Sequence, residues 1–232
     1  MQECIASIIN IVDEIIVVDG FSTDRTISIC KKYPKIRIFR KFFEGFAKER
    51  IFALKQVKGD WVIQIDSDEV LTKKCAFQLK KMIRSDSFDV IRVWNKTFFA
   101  GKFLRSNGRI PSTKAFRVGY LYYDKNKLVH ETPIIKSQAK IGDSGCMMIH
   151  YHDFDLKQIW RKFVRYAKLR IYMEGTSIRK MLSRPLGIFF VRLIKDFRII
   201  DGFHGLFLAS IEATAYLFVT LKEIKISNWR LY

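Results

Sequence analysis

Along the first hundred residues, short and nearly continuous apolar runs alternate with helix-length amphipathic segments. Glu14–Asp19 (EIIVVD) and Asp60–Asp66 (DWVIQID) read as strands buried on both faces, each ending in a polar turn. Between them, Ser22–Thr26 supplies N-cap chemistry for a helix through Lys32, Ile36–Arg40 predicts a strand and Gly45–Val57 a helix. Thr72–Arg84 predicts a further helix and Asp89–Phe99 a long strand. This alternation predicts an α/β fold with a mostly parallel sheet and flanking helices over residues 1–100.

From 101 to 183 the periods shorten and turn residues such as Asn107-Gly108 and Ile110-Pro111 punctuate the chain. Strands are predicted at 115–123, 128–135 and 143–151, followed by a basic helix over 155–173. From 184 to 232 the composition turns apolar and aromatic, which predicts amphipathic and apolar C-terminal helices. Gly202–Leu221 has the length of a membrane span, but His204 and Glu212 inside it favour a helix that lies on a membrane or is buried in protein.

Open α/β sheets bind ligands beyond the carboxyl ends of their strands, so loops 19–25 and 66–71 mark the expected site. Asp66-Ser67-Asp68 there is a D-x-D triplet, and two carboxylates one residue apart in a turn can serve a hard divalent cation that also holds phosphate. With 14 aspartates in 232 residues, chance yields about one such triplet. A second, Asp153-Phe154-Asp155, opens a predicted helix and reads as a cap.

Charge adds a second theme. The chain carries 42 Lys and Arg against 23 Asp and Glu, a formal net charge of +19. Residues 1–100 hold 18 basic and 13 acidic side chains, net +5, whereas residues 101–200 hold 21 and 7, net +14. With 49% hydrophobic residues the chain can bury a core, so disorder is excluded. The basic region predicts a phosphate-bearing or anionic partner: nucleic acid, lipid head groups or a phosphorylated substrate. Cys4, Cys30, Cys75 and Cys146 show no C-x-x-C pair, which argues against structural zinc. Neither a basic n-region nor an unbroken apolar run opens the chain, and a reducing cytosolic setting is the simplest expectation.

Taken together, Val12–Thr26, Gly45-Phe46 and Gly59–Val70 resemble the nucleotide-sugar domain of family 2 glycosyltransferases, in particular the bacterial branch that adds a sugar to the lipopolysaccharide inner core. The likeness continues through Gly101-Lys102, Pro111, Val129-His130-Glu131, His150-Tyr151, the Lys162 and Tyr166 pair, and Asp201–Gly205 (DGFHG). The resemblance implies a GT-A-like, Rossmann-like fold. It also implies an inverting, metal-dependent transfer of a hexose, most often glucose, from a UDP-sugar to a lipopolysaccharide-core or related glycolipid or polysaccharide acceptor.

By the same resemblance, Asp19 meets the uracil ring, Asp66 stands near ribose and metal, and Asp68 coordinates Mg²⁺ or Mn²⁺ with the donor diphosphate. Arg50 is a phosphate contact, with a solvated helix face as the competing reading. Glu131 is the base that takes the acceptor proton. His150 completes the metal shell or is a satisfied core histidine, and His152 could claim the same role. His130, Lys162 and Tyr166 fall on the acceptor side.

The implied partners are a UDP-sugar, a glycolipid or polysaccharide acceptor and an anionic membrane surface. The implied location is cytoplasmic, peripheral on the inner face of the bacterial cytoplasmic membrane. Two departures stand out: the family's first strand is missing, and Ile51 stands where asparagine is usual. Two rival readings stay open. One is an impaired transferase-like binding protein. The other, a nucleic-acid binder, lacks any RNP, KH, helix-turn-helix or zinc motif, so no nucleic-acid partner is expected.

Overall fold

The computed structural model describes residues 1–106, 111–125, 132–152, 155–174 and 178–229. The chain forms two compact units: Met1–Lys96 with Gly108–Tyr151, and Thr97–Asn107 with His152–Tyr232. In the first unit the order is α1 (Gln2–Ile8), β1 (Ile15–Asp19), α2 (Thr26–Cys30), β2 (Ile36–Arg40), α3 (Phe46–Leu54), β3 (Trp61–Ile63), β4 (Glu69–Leu71), α4 (Lys73–Arg84) and β5 (Val90–Phe99). It resumes with β7 (Ser112–Arg117), β8 (Leu121–Tyr122), β9 (Ile134–Ile135) and β10 (Ile141–His152), after a short β6 (Lys102–Phe103) that pairs with the end of β5.

The expected alternation holds as far as β5, and the parallel pairing is found where it was expected, between β1 and β2. The main sheet, ordered β3-β7-β5-β10-β4, departs from a mostly parallel one: β3 with β7, β7 with β5 and β10 with β4 are antiparallel. For β5 and β7 the connection gives the reason: parallel neighbours need a crossover of a dozen or more residues, usually a helix, and among the described residues no helix intervenes between these two strands.

Alternation along the strands divides two cores. Ile91 and Val93 of β5 and Ala115 of β7 pack with Leu71, Cys75, Leu79, Met82 and Met148 beneath α4. Their neighbours Val90 and Phe116 face the other way, onto Ala47 of α3, Leu121 and Tyr123. Both faces are thus covered, as the continuous apolar runs required. Thr72 starts α4 by accepting from the Cys75 N–H at 3.2 Å. Cys75 and Cys146, 71 residues apart with Cα atoms 5.0 Å from each other, are joined as a disulfide between α4 and β10; no sequence spacing signals this pair.

The second unit holds α5 (Leu156–Glu174), α6 (Ile178–Phe190), a π-helical turn (Val191–Lys195), a 3₁₀ turn (Arg198–Asp201) and α7 (Phe203–Trp229). The predicted boundary at 183/184 falls inside α6, which runs on through Pro185, whose ring is buried. Asp201 is 1% exposed and accepts from the backbone N–H groups of Arg105 (2.5 Å) and Ser106 (3.1 Å). Gly202 follows at φ +60° and ψ −130°, a conformation glycine reaches without strain. The DGFHG motif is therefore a structural joint.

Candidate functional site

The turn between β3 and β4 carries Asp66-Ser67-Asp68, and its backbone is tied from three sides. The Glu69 carboxylate reaches back to accept the Asp66 N–H at 2.9 Å, the i to i+3 reciprocity seen at helix starts. The Cys4 thiol donates to the Asp66 carbonyl at 3.4 Å, and the Tyr151 N–H donates to the Asp68 carbonyl at 2.8 Å. Burial and the nearby carboxylates push the Cys4 thiol up to about 12, so it stays a neutral donor at physiological pH.

Beneath the turn, Lys114 on β7 binds both Glu69 oxygens, at 2.8 and 2.7 Å. Both residues are buried, so each supplies the charge the other needs. Sequence reasoning missed this pair. Glu69 could have been found from its spacing to Asp66, but Lys114 could not, because only strand pairing brings β7 under the turn.

The two expected carboxylates take different partners. Asp68 meets His150, Oδ2 to Nε2 at 3.0 Å, because the β4–β10 ladder sets His150 opposite Glu69 and so beside Asp68. Asp66 meets Arg50 of α3, Oδ1 to Nη2 at 3.3 Å. Asp66, Asp68 and His150 were expected to gather around one cation, but the structure does not bring them together. Arg50 neutralises Asp66, and among the described residues no group of three His, Cys, Asp or Glu converges. Asp68 and His150 offer two ligands. That donor set fits a Mg²⁺ or Mn²⁺ that shares its shell with diphosphate oxygens and water. The Asp66 and Asp68 side chains remain 47% and 45% exposed, open to such a ligand.

Asp19, at the end of β1, is almost fully buried. Burial alone would raise its carboxyl, but the Ser22 N–H, 3.2 Å from each oxygen, and the Arg40 guanidinium at 3.4 Å outweigh it and hold the group below the usual carboxylate range. The 19–25 loop is thereby closed on itself. Beside it Phe21 stacks on Phe42 at 4.4 Å, with Arg40 over the Phe21 ring at 4.7 Å, an exposed aromatic surface that the sequence reading did not single out. Lys162 and Tyr166 lie one turn apart on α5, half-buried, in the second unit. His130 and Glu131 lie outside the described residues.

The Asp66-Ser67-Asp68 turn follows β3, at the strand end where the resemblance put it, although its two carboxylates take partners other than one shared cation. The model of glycosyl transferase family 2 matches residues 1–154. The chain belongs to that family. Its α/β sheet with flanking helices is the GT-A-like fold.

Among curated relatives, 89 residues are 34% identical to an uncharacterized glycosyltransferase of Rickettsia bellii, covering 38% of this chain and 30% of that protein. The match thus spans less than a third of the length of that relative. The lipopolysaccharide core biosynthesis glycosyltransferase LpsC of Rhizobium meliloti is 26% identical over 224 residues, covering 91% of this chain and 82% of LpsC. Among solved structures, residues 1–349 of S. aureus TarS align over 97% of this chain and 88% of that one, with a TM-score of 0.49 and 15% identity.

Proposed function

We propose that this family 2 chain moves a hexose, glucose foremost, from a UDP-sugar to a lipopolysaccharide-core or related glycolipid or polysaccharide acceptor, with inversion. The observation that carries the reading is the Asp68–His150 contact at 3.0 Å on a turn whose other carboxylate faces Arg50 at 3.3 Å. One pair is suited to a cation, and the guanidinium of the other is suited to a diphosphate. The likeness to LpsC along most of the chain supports the acceptor class.

In this reading the acceptor hydroxyl oxygen attacks the anomeric carbon as the bond from that carbon to the diphosphate oxygen breaks, and Glu131 takes the hydroxyl proton. UDP departs with the bonding electron pair. Asp68 and His150 would hold a Mg²⁺ or Mn²⁺, which would supply charge balance for the leaving diphosphate. Arg50 shares that charge, Asp19 and Asp66 border the nucleoside, and His130, Lys162 and Tyr166 serve the acceptor side. The working place is the cytoplasmic face of the bacterial inner membrane, where the acceptor glycolipid is built and where the basic middle of the chain meets anionic head groups.

The test is UDP release from a panel of UDP-sugars with Mg²⁺ or Mn²⁺ and a lipopolysaccharide-core acceptor. Turnover that needs the cation and falls by about 100-fold or more in Asp68→Ala and in Glu131→Gln supports the reading. Full turnover in Asp68→Ala would remove the cation assignment. Donor binding without release on any core acceptor would make the chain a binding protein.

A further inference from the structure

The second unit leaves a run of large apolar side chains uncovered. From the end of α6 through the π and 3₁₀ turns to the start of α7, Leu186, Phe190, Ile194, Phe197, Ile199 and Phe203 are between 48% and 76% exposed. A single exposed leucine means nothing, but large side chains exposed in succession over one elbow of the chain mark an interaction surface.

Three charged side chains within this elbow, Arg192, Asp196 and Arg198, are paired inside the unit. Arg192 donates to Glu212 at 2.8 Å and to Asp196 at 2.7 Å, and Arg198 donates to the other Glu212 oxygen at 3.2 Å. A charged group that is already paired opposes transfer toward a low-dielectric medium far less than a lone one. The same network decides the place of α7. Phe203–Glu223 is long and apolar enough to cross a membrane, with mean hydropathy 1.4, but Glu212 at its middle is bound to both arginines. Ala209, Ala213, Tyr216 and Val219 are buried within the unit, Tyr216 and Val219 packing with Ala167 of α5. Crossing would strip these contacts away.

Charge also selects the occupant. On α5, Lys157, Arg161, Arg165 and Lys168 are exposed at spacings of four, four and three, hence on one helix face. Ile159, Phe163 and Ala167 lie on the packed side, in the clusters with α7 residues. A second copy of a chain with net charge +19 would be repelled, whereas an anionic leaflet attracts it.

We propose that the elbow over residues 186–206 is an interfacial anchor that beds into an anionic lipid leaflet, with α7 held on the protein side by the Glu212–Arg192–Arg198 network. The inference rests on the membrane-face part of the function proposed above and is independent of the transfer chemistry.

The test is co-sedimentation of the full chain, without donor sugar, with phosphatidylcholine vesicles and with phosphatidylcholine–phosphatidylglycerol vesicles. Binding to the mixed vesicles is expected. It should weaken by about 100-fold in Phe190→Ser/Ile194→Ser/Phe203→Ser, as three large apolar side chains lose their burial. The thermal midpoint should be unchanged, since all three are exposed in the free protein. Lys157→Glu/Arg161→Glu/Lys168→Glu should lose the preference for the anionic vesicles. Wild-type binding in the serine variant, or no vesicle binding by the wild type, overturns the proposal. So does a dimer in sedimentation velocity that the serine variant abolishes. Because no donor is present, failure here leaves the transfer reading standing, and failed turnover leaves the anchor standing.

Discussion

Replacing Lys114 by methionine isolates the energetics under the D-x-D turn. The Lys114 and Glu69 side chains are 9% and 4% exposed, so Lys114→Met leaves a carboxylate in the protein interior with no counter-charge. Breaking a buried pair in this way costs about 3–5 kcal/mol, because the remaining charge keeps its desolvation penalty without the compensating attraction. With a urea dependence of about 2 kcal/mol per molar, the unfolding midpoint should fall by about 1.5–2.5 M.

The pair itself need not be a net stabiliser, since two charges have been taken out of water to form it. Glu69→Gln/Lys114→Met should therefore recover much of the loss while its amide oxygen still accepts the Asp66 N–H. The assay is urea unfolding followed by fluorescence of Trp61 and Trp94, with a double-mutant cycle over the four proteins. A loss below about 1 kcal/mol in Lys114→Met, the range of an exposed pair, would refute the reasoning. So would a double variant as unstable as the sum of the singles.

Further outcomes follow from other parts of the chain. Gly205→Ala would drive its Cβ into the backbone carbonyl of Arg198; rigid backbone cannot yield cheaply, so a loss of about 1–3 kcal/mol or more is expected in thermal unfolding. Gly142→Ala meets the Phe88 ring at 2.8 Å, and its loss, read the same way, should be smaller because a side chain can shift. The Asp19 carboxyl is depressed in the folded state, so the unfolded chain binds the proton more readily. Its contribution is therefore present above the ordinary carboxylate range and lost as pH falls through and below it; urea midpoints across that range should drop less steeply in Asp19→Asn. The Cys4 thiol, buried and pushed up to about 12, should resist iodoacetamide at neutral pH in the folded protein and react once urea unfolds it.

The sequence pattern revealed the helix and strand alternation through Phe99 because each run there is long enough for its period to be read. It revealed the position of the D-x-D turn for the same reason: a buried strand must end, and Asp66 ends one. The direction of the later strands was not legible, since antiparallel pairing from β5 to β10 depends on which strand slots beside which. Lys114 illustrates the limit. It stands just before the strand predicted at 115–123, yet it lies within β7 and is buried against Glu69 under the turn. Asp201 and Gly205 belong to a motif visible in the sequence, but their work of capping Arg105 and Ser106 and clearing the Arg198 carbonyl is fixed by residues about a hundred positions away and by a tight turn respectively.

The restraints on the D-x-D turn bear on how the site meets its ligand. Glu69 holds the Asp66 N–H, Cys4 the Asp66 carbonyl and Tyr151 the Asp68 carbonyl, so the backbone of the turn is held by hydrogen bonds from the protein itself. The ordering cost of a binding loop, about 1–2 kcal/mol per residue of backbone freedom, has then been met during folding. What remains mobile is the side-chain torsions of two half-exposed carboxylates. His150 reaches Asp68 only because β10 pairs with β4 in the register His150 to Glu69, and a slip of one residue would send the imidazole to the opposite face of the sheet. The sheet register is thus the device that brings Asp68 and His150 together. Deleting one residue between Gly145 and Ile149 should abolish the Asp68–His150 contact and weaken Mn²⁺ binding in the presence of UDP by at least about 10-fold, even where the fold survives; unchanged Mn²⁺ affinity in a folded deletion variant would show that the register does not assemble the site.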